Sequence, residues 1–468
     1  MVTYIFFLCI IFIMNMVEIT QKMRENQKIS LKEQLQIVIL LSIPAIIEQL
    51  VGTAMSYIDT AMVGSLGYKA TAAIGVVAST TWLFQGICTS CAMGFSVQIA
   101  QFLGGGKTKE ARQVVCQGIL FNILFGCIMA ALVIILSFYL PNLLGAAISI
   151  QHNATLYLAI VGAFIPFNMA VTLNSGMLRC AGNALVPSVM NISMCVLDVI
   201  FNFFFIYCLH LGVAGAALGT GMSQAVIALV LLYFVLKKEP SLRLIQNESW
   251  KFSKRILTNM IHISTPAALE RITLSLAQVV MTGIVSSMSS MSVAINYVAV
   301  SAEGLCYLPA YGIGNAATTL VGQSIGANRK DMAKRFAYLT TLLGFLLVLC
   351  MSVILYVFSP FLASTLTTSQ QVVQGASTCL KIVSFSEPLF AVSIVAIAAM
   401  RGAGDSKVPF LLNSLSMWGV RVLGIVLFTR QYGVIGVWAT MCVELIFRGI
   451  LFLIRLVRAK WLNQNAIH

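Results

Sequence analysis

Residues 43–64 read IPAIIEQLVGTAMSYIDTAMVG, and 222 positions later residues 265–286 read TPAALERITLSLAQVVMTGIVS. Both runs are apolar over a length that crosses a bilayer as a helix. Each sets a proline one helical turn ahead of a glutamate, Pro44 with Glu48 and Pro266 with Glu270. The offset of 222 continues downstream, where Gln101, Gly104, Lys107, Ala111 and Arg112 align with Gln323, Gly326, Arg329, Ala333 and Lys334. Pro166 aligns with Pro388. Arg179-Cys-Ala-Gly-Asn, followed by Val186-Pro187 and Asn191, aligns with Arg401-Gly-Ala-Gly-Asp, Val408-Pro409 and Asn413. One offset held over about 150 residues marks an internal duplication.

The rest of the chain has the character of these two runs. Of 468 residues, 59% are hydrophobic and 9% charged, whereas soluble domains are about a quarter charged. Lipid is therefore the solvent, and backbone N–H and C=O groups must pair within their own segments. The alternation of a β-barrel is absent from the sequence. An all-α membrane protein follows. Apolar stretches run over 36–59, 70–103, 113–138, 154–177, 185–209, 213–236, 257–286, 293–325, 336–358, 372–400, 408–429 and 434–455, which predicts twelve transmembrane helices. Six spans per copy return the chain to its starting side, so two six-helix lobes are expected, related by a pseudo-two-fold axis along the membrane normal. The expected divisions are an apolar extension at 1–22, lobes at 23–236 and 257–468, and a cytoplasmic linker at 237–256. Residues 1–17 lack the basic flank of a signal peptide, and Met23 is favoured as the start.

A formal net charge of +14 would suit a nucleic-acid surface in a soluble protein. Its distribution excludes that reading. With the N-terminus inside, 23 of the 29 Lys and Arg fall in cytoplasmic segments, Lys69, Lys381 and Arg430 fall outside, and Arg271, Arg421 and Arg448 lie within spans. The positive-inside rule then predicts an inner (plasma) membrane protein with both termini cytoplasmic. Most of the twelve cysteines lie in apolar runs and read as reduced packing residues. Cys88-x-x-Cys91 has a redox spacing but no second pair. Gly106-Lys107-Thr108 ends like a phosphate loop, but Gln101 replaces the required earlier glycine and no strand precedes it. His152, His210 and His262 are scattered, so neither a metal site nor a cofactor is implied. No enzymatic constellation is present. The chain reads as a transporter driven by an ion gradient, and a monomer in the bilayer is expected.

Seven acids fall inside spans: Glu48, Asp59, Asp198, Glu270, Glu303, Glu387 and Glu444. A charge at mid-bilayer costs about 2.5–3.5 kcal/mol on insertion scales, so each needs a partner or a function. Glu48 and Asp59 are eleven residues apart, which puts both on one face of the first span, roughly 16 Å from each other. Asp198 and Asn202 share a face as an i, i+4 pair. If their spans meet, Asp59, Asp198 and Asn202 form a cluster able to take up and release a cation. Glu444 has Arg448 at i+4, the spacing of a structural pair. Glu48, Glu270, Glu303 (ahead of Pro309) and Glu387 (ahead of Pro388) are candidates for cavity or gating roles. Asp59 has Met281 at its repeat position and Asp198 maps near Val420, so both acids break the duplication.

The string Pro44-x-x-x-Glu48 followed by Tyr57-Ile-Asp59-Thr60-Ala-Met-Val63-Gly64, the loop Gln101-x-x-Gly104, and the turns Arg179-x-x-Gly182 and Arg401-Gly402-x-Gly404-Asp405 resemble the multidrug and toxic compound extrusion (MATE) family. The resemblance covers nearly everything from about residue 30 onward. It implies that Asp59 belongs to a cation-coupling site of the N-terminal lobe. An Asn-x-x-x-Asp pair of some members stands here as Asp198-x-x-x-Asn202, with the types exchanged, and Thr220 completes that cluster. Glu270 matches a glutamate of a C-terminal-lobe cation site in the sodium-coupled branch; the partner aspartate is replaced by Phe390, with Glu387 nearly one turn away as a substitute. The function implied is antiport: export of amphipathic, often cationic, organic compounds in exchange for H+ or Na+. The alternative is a lipid-linked oligosaccharide flippase of the same superfamily, which should line its cavity with several Lys or Arg. A major-facilitator permease lacks its basic loop signature here, since that loop reads Phe102-Leu-Gly-Gly-Gly-Lys-Thr-Lys.

Overall fold

The computed structural model describes Lys22, Glu25, Gln27 and residues 29–245, 250–367 and 369–463. The stretch 1–17 and the start favoured at Met23 lie outside the described residues. Among the described residues the chain is helical throughout its regular structure, without a strand. Ten helices are long and apolar enough to cross a membrane, and two bent pairs bring the number to twelve. They are α1 (Leu31–Gly64), α2 (Tyr68–Gly104), α3 (Thr108–Ser137), α4 (Ile148–Ala163 with Ile165–Cys180), α5 (Leu185–Cys208) and α6 (Gly212–Lys238), followed by α7 (Lys254–Ser286), α8 (Ser290–Gly326), α9 (Lys330–Val357), α10 (Gln370–Ser384 with Glu387–Gly402), α11 (Lys407–Thr429) and α12 (Gln431–Arg458).

Local chemistry explains where these helices start and break. Ser30 and Glu33 close a reciprocal box at the head of α1: Glu33 N–H donates to Ser30 Oγ at 3.2 Å and Ser30 N–H to Glu33 Oε2 at 2.8 Å. The bend of 44° in α4 and of 56° in α10 come just before Pro166 and Pro388. Proline has no N–H to continue the ladder and its ring crowds the preceding turn, so a second segment starts there. Pro309, by contrast, is carried inside an uninterrupted α8. Gly212 and Gly433, aligned in the duplication apart from one residue, both have φ of +57°, a conformation open to glycine at the entry to α6 and α12.

The chain contacts divide into two compact units. One includes Ile47–Ala268; the other joins Asn26–Ile46 to Leu269–Ala466. The divisions between these units fall inside α1 and α7, just after Pro44 and Pro266. Because a proline loosens its own helix, the two parts of each helix can serve different cores. In the first unit, Phe95 and Ile99 of α2, Val114 of α3, Met177 of α4 and Leu231 of α6 pack with Ile256 and Met260 of α7. Gly94 lies so close to α7 that a Cβ there would stand 2.2 Å from Ser264 Oγ.

Candidate ion-coupling site

In the first unit α1, α5 and α6 meet around Asn202. Its Nδ2 donates to Asp59 Oδ1 at 3.1 Å and to Asp198 Oδ1 at 3.3 Å, so one amide bridges two carboxyls from different helices. Asp198 and Asn202 are buried, while Asp59 is half-buried. The two carboxyls also lie close enough to interact directly, and the Thr220 hydroxyl sits beside Asp198. All four residues expected in the N-terminal cluster are thus brought together. Gly219 makes the approach of α6 possible: a Cβ there would fall 2.0 Å from Asn202 Oδ1. An apolar cavity of about 90 Å³ opens next to the cluster, lined by Phe84, Gln85, Tyr157, Asn168, Thr220 and Gln224 among others.

Glu48 has a different partnership in the same unit. Arg179 Nη2 reaches Glu48 Oε1 at 2.5 Å and Oε2 at 2.7 Å, Ser188 Oγ donates to Oε2 at 2.8 Å, and Asn191 Nδ2 donates to Oε1 at 2.9 Å. The carboxylate is saturated by an arginine and two neutral donors that tie α1 to α4 and α5.

The second unit repeats this latch. Arg401 Nη2 and Asn413 Nδ2 each donate to Glu270 Oε1 at 2.8 Å, joining α7 to α10 and α11. The structure therefore sets Glu270 with Arg401 and Asn413, and it does not pair Glu270 with Glu387. The fully buried Glu387 instead interacts directly with Glu303 of α8, and neither Glu387 oxygen has a partner in hydrogen-bond geometry. Phe390 lies edge-on to Tyr307, with ring centroids 5.2 Å apart, and faces the Arg448 guanidinium at 5.7 Å. Pro309 is buried in α8, downstream of Glu303 in the same helix.

Glu444 pairs with Arg448 across one turn at 2.6 Å, as the i, i+4 spacing predicts. Spacing alone missed a second arginine: Arg421, carried on a π-helical stretch of α11, reaches Glu444 Oε2 at 2.6 Å. The signal was its position within an apolar span, which flags any arginine as needing a partner.

A family model described as MatE matches residues 44–204 and again 266–427, two copies starting 222 residues apart. Multidrug resistance protein NorM of Aliivibrio fischeri is 26% identical over 448 residues, which cover 91% of this chain and 94% of the relative. Multidrug and toxin extrusion protein 1 of Pongo abelii is 22% identical, over 92% of this chain and 76% of the relative. Among solved structures, an outward-facing MATE family transporter of the MOP superfamily superposes with a TM-score of 0.87 at 21% identity, covering 92% of this chain and 96% of that one. At that identity the likeness is one of fold.

Proposed function

Because the chain belongs to the MatE family, whose members are transporters and not enzymes, we propose that it exports amphipathic, often cationic, organic compounds in exchange for protons or sodium. The observation that carries this reading is the Asn202 bridge. Asp59 and Asp198 share one neutral donor, and among the described residues no basic side chain is one of the groups acting on either of them. Two acids held close in a nonpolar setting lack a counter-charge, and a cation supplies it. Glu48, Glu270 and Glu444 already have arginines, so they have less need of an ion.

The proposed cycle begins with a cation entering from outside at Asp59, the half-buried acid, and passing to the bridged pair. Neutralising the pair removes the repulsion between its carboxyls and changes how α1 and α5 pack there. Compound and ion then compete for a unit that holds one of them at a time, and rocking of the two lobes exposes the site to alternate sides. In this reading both termini face the cytoplasm of a cell with this protein in its plasma membrane, the protein works as a monomer, and nucleic acid has no part. The cavity beside Thr220 sets the rings of Phe84, Tyr157 and Phe164 beside amide groups, chemistry that attracts an organic cation. Relatives named for multidrug resistance and toxin extrusion favour this over the flippase alternative.

The test is efflux of a fluorescent organic cation in everted membrane vesicles under an imposed pH gradient and, separately, an imposed sodium gradient. Accumulation driven by one of them identifies the coupling ion. Accumulation driven by neither contradicts the proposal.

A further inference from the structure

The second unit contains a cavity that, unlike the Asn202 site, carries basic side chains. It measures about 220 Å³ and is lined by Glu303, Tyr307, Tyr311, Phe390, Arg421 and Arg448, with Asn296 and several methionines completing the wall. Both arginines are more than nine-tenths buried, and Glu444, which holds them, is wholly so. Arg421 meets Glu444 Oε2 through Nε at 2.9 Å and Nη2 at 2.6 Å, while Arg448 meets Oε1 through Nε at 2.7 Å and Nη2 at 2.6 Å. Ser416 Oγ adds a donor to Oε1 at 2.6 Å. Each guanidinium thus presents one edge to Glu444, and both arginines line the cavity.

Two guanidinium groups against one carboxylate leave one positive charge unmatched in a buried place, which is costly unless another anion is near. The remaining acids in reach are Glu303 on α8 and Glu387 on α10, and Arg421 acts on both. Tyr307 and Cys306 also face both carboxyls, and Cys442 faces Glu387. With one proton shared between Glu303 and Glu387, the cluster is neutral. With a proton on each, it carries a positive charge over a wall of aromatic rings.

We propose that this cavity binds the carboxylate end of an aromatic acid, with Arg421 and Arg448 as counter-charges, Tyr307, Tyr311 and Phe390 against the ring, and Glu303 as a resident competitor. The ligand's carboxylate takes the electrostatic place of Glu303 when Glu303 holds a proton. Such binding goes beyond cation export: it admits zwitterions and aromatic acids, through a site in the other unit. It also reverses the proton linkage, since an anion here binds together with a proton, whereas a cation at Asp59 competes with one.

Titration of the purified, detergent-solubilised protein with 1-naphthoate, its methyl ester and 1-naphthylmethylammonium tests this without any ion gradient. The acid should bind at least about tenfold more tightly than the ester, the least that a charge-assisted contact contributes. Its affinity should rise as the pH falls, because a proton on each of Glu303 and Glu387 leaves Glu444 to face the two arginines with a single negative charge. Glu303→Gln should tighten naphthoate binding and flatten that pH dependence, a gain that damage to the fold would not produce. Arg448→Gln should abolish the preference for acid over ester, and Arg448→Lys should restore part of it. Equal or undetectable binding of acid and ester, or an unchanged affinity and pH slope in Glu303→Gln, overturns the proposal. Either result would leave ion coupling at Asp59 untouched.

Discussion

Asn202 spends both hydrogens of its amide on acids of two helices, and its Oδ1 has no partner. Replacing it with alanine leaves Asp59 and Asp198 facing each other with no donor between them. The expected loss is about 1–3 kcal/mol of stability, read as a lower unfolding temperature in detergent, together with loss of export. Gly219→Ala should have a similar effect by pushing the amide aside, since its Cβ has no room beside Asn202. At Glu444 the cost is larger. Glu444→Gln strands two buried guanidinium groups against each other, a loss of about 3–5 kcal/mol by thermal unfolding. An unchanged melting temperature in that variant would show that the arginines find other partners. Acids and arginines of this kind are visible in a sequence because lipid makes an isolated charge expensive. Their partners are not. Asp198 and Asn202 could be paired from helical spacing, but Arg421 and Glu444 stand 23 residues apart on successive helices, and Gly219 looks like any other small residue of a membrane helix.

The two latches show what duplication does at the level of helices. Glu48 takes Arg179 and Asn191 at sequence separations of 131 and 143, and Glu270 takes Arg401 and Asn413 at the same separations. Alignment of the repeat placed all six residues in register without showing that they touch. The resemblance pointed Glu270 toward Glu387, whereas the packing of α7 sets it against Arg401 and Asn413. Glu48→Gln and Glu270→Gln should each lower stability by about 1–3 kcal/mol, because each leaves a partly buried arginine without its counter-charge. The latches belong to separate units, so the double variant should be additive within about 0.5 kcal/mol in thermal unfolding. Pro266 lies in the same helix as one latch. An interior proline costs about 3 kcal/mol, so Pro266→Ala should raise the melting temperature. If the loosened helix serves transport, the same variant should export more slowly, and vesicle efflux at the wild-type rate would argue against that use of the bend.

Across the whole molecule, the twelve spans could be read from hydropathy, and the breaks in α4 and α10 from their prolines. The span edges extend beyond the apolar cores: α1 covers Leu31–Gly64 where composition marks only 36–59, since a helix continues into polar flanks once it is nucleated. Division within α1 and α7 could not be read, because no composition change marks it. The duplication gives two scaffolds of like construction, while their interiors differ in charge. One unit gathers Asp59 and Asp198 around an amide; the other sets two arginines around Glu444 beside Glu303 and Glu387. We take this difference to be the functional division of labour, with ion coupling assigned to the first unit. The most direct test is concentrative transport of a fluorescent cation in proteoliposomes, comparing the wild-type protein with Asp59→Asn under the gradient that drives it. The account predicts that the wild type concentrates the cation, while the variant still binds it but only lets it equilibrate. Concentrative transport by Asp59→Asn at the wild-type level would contradict it.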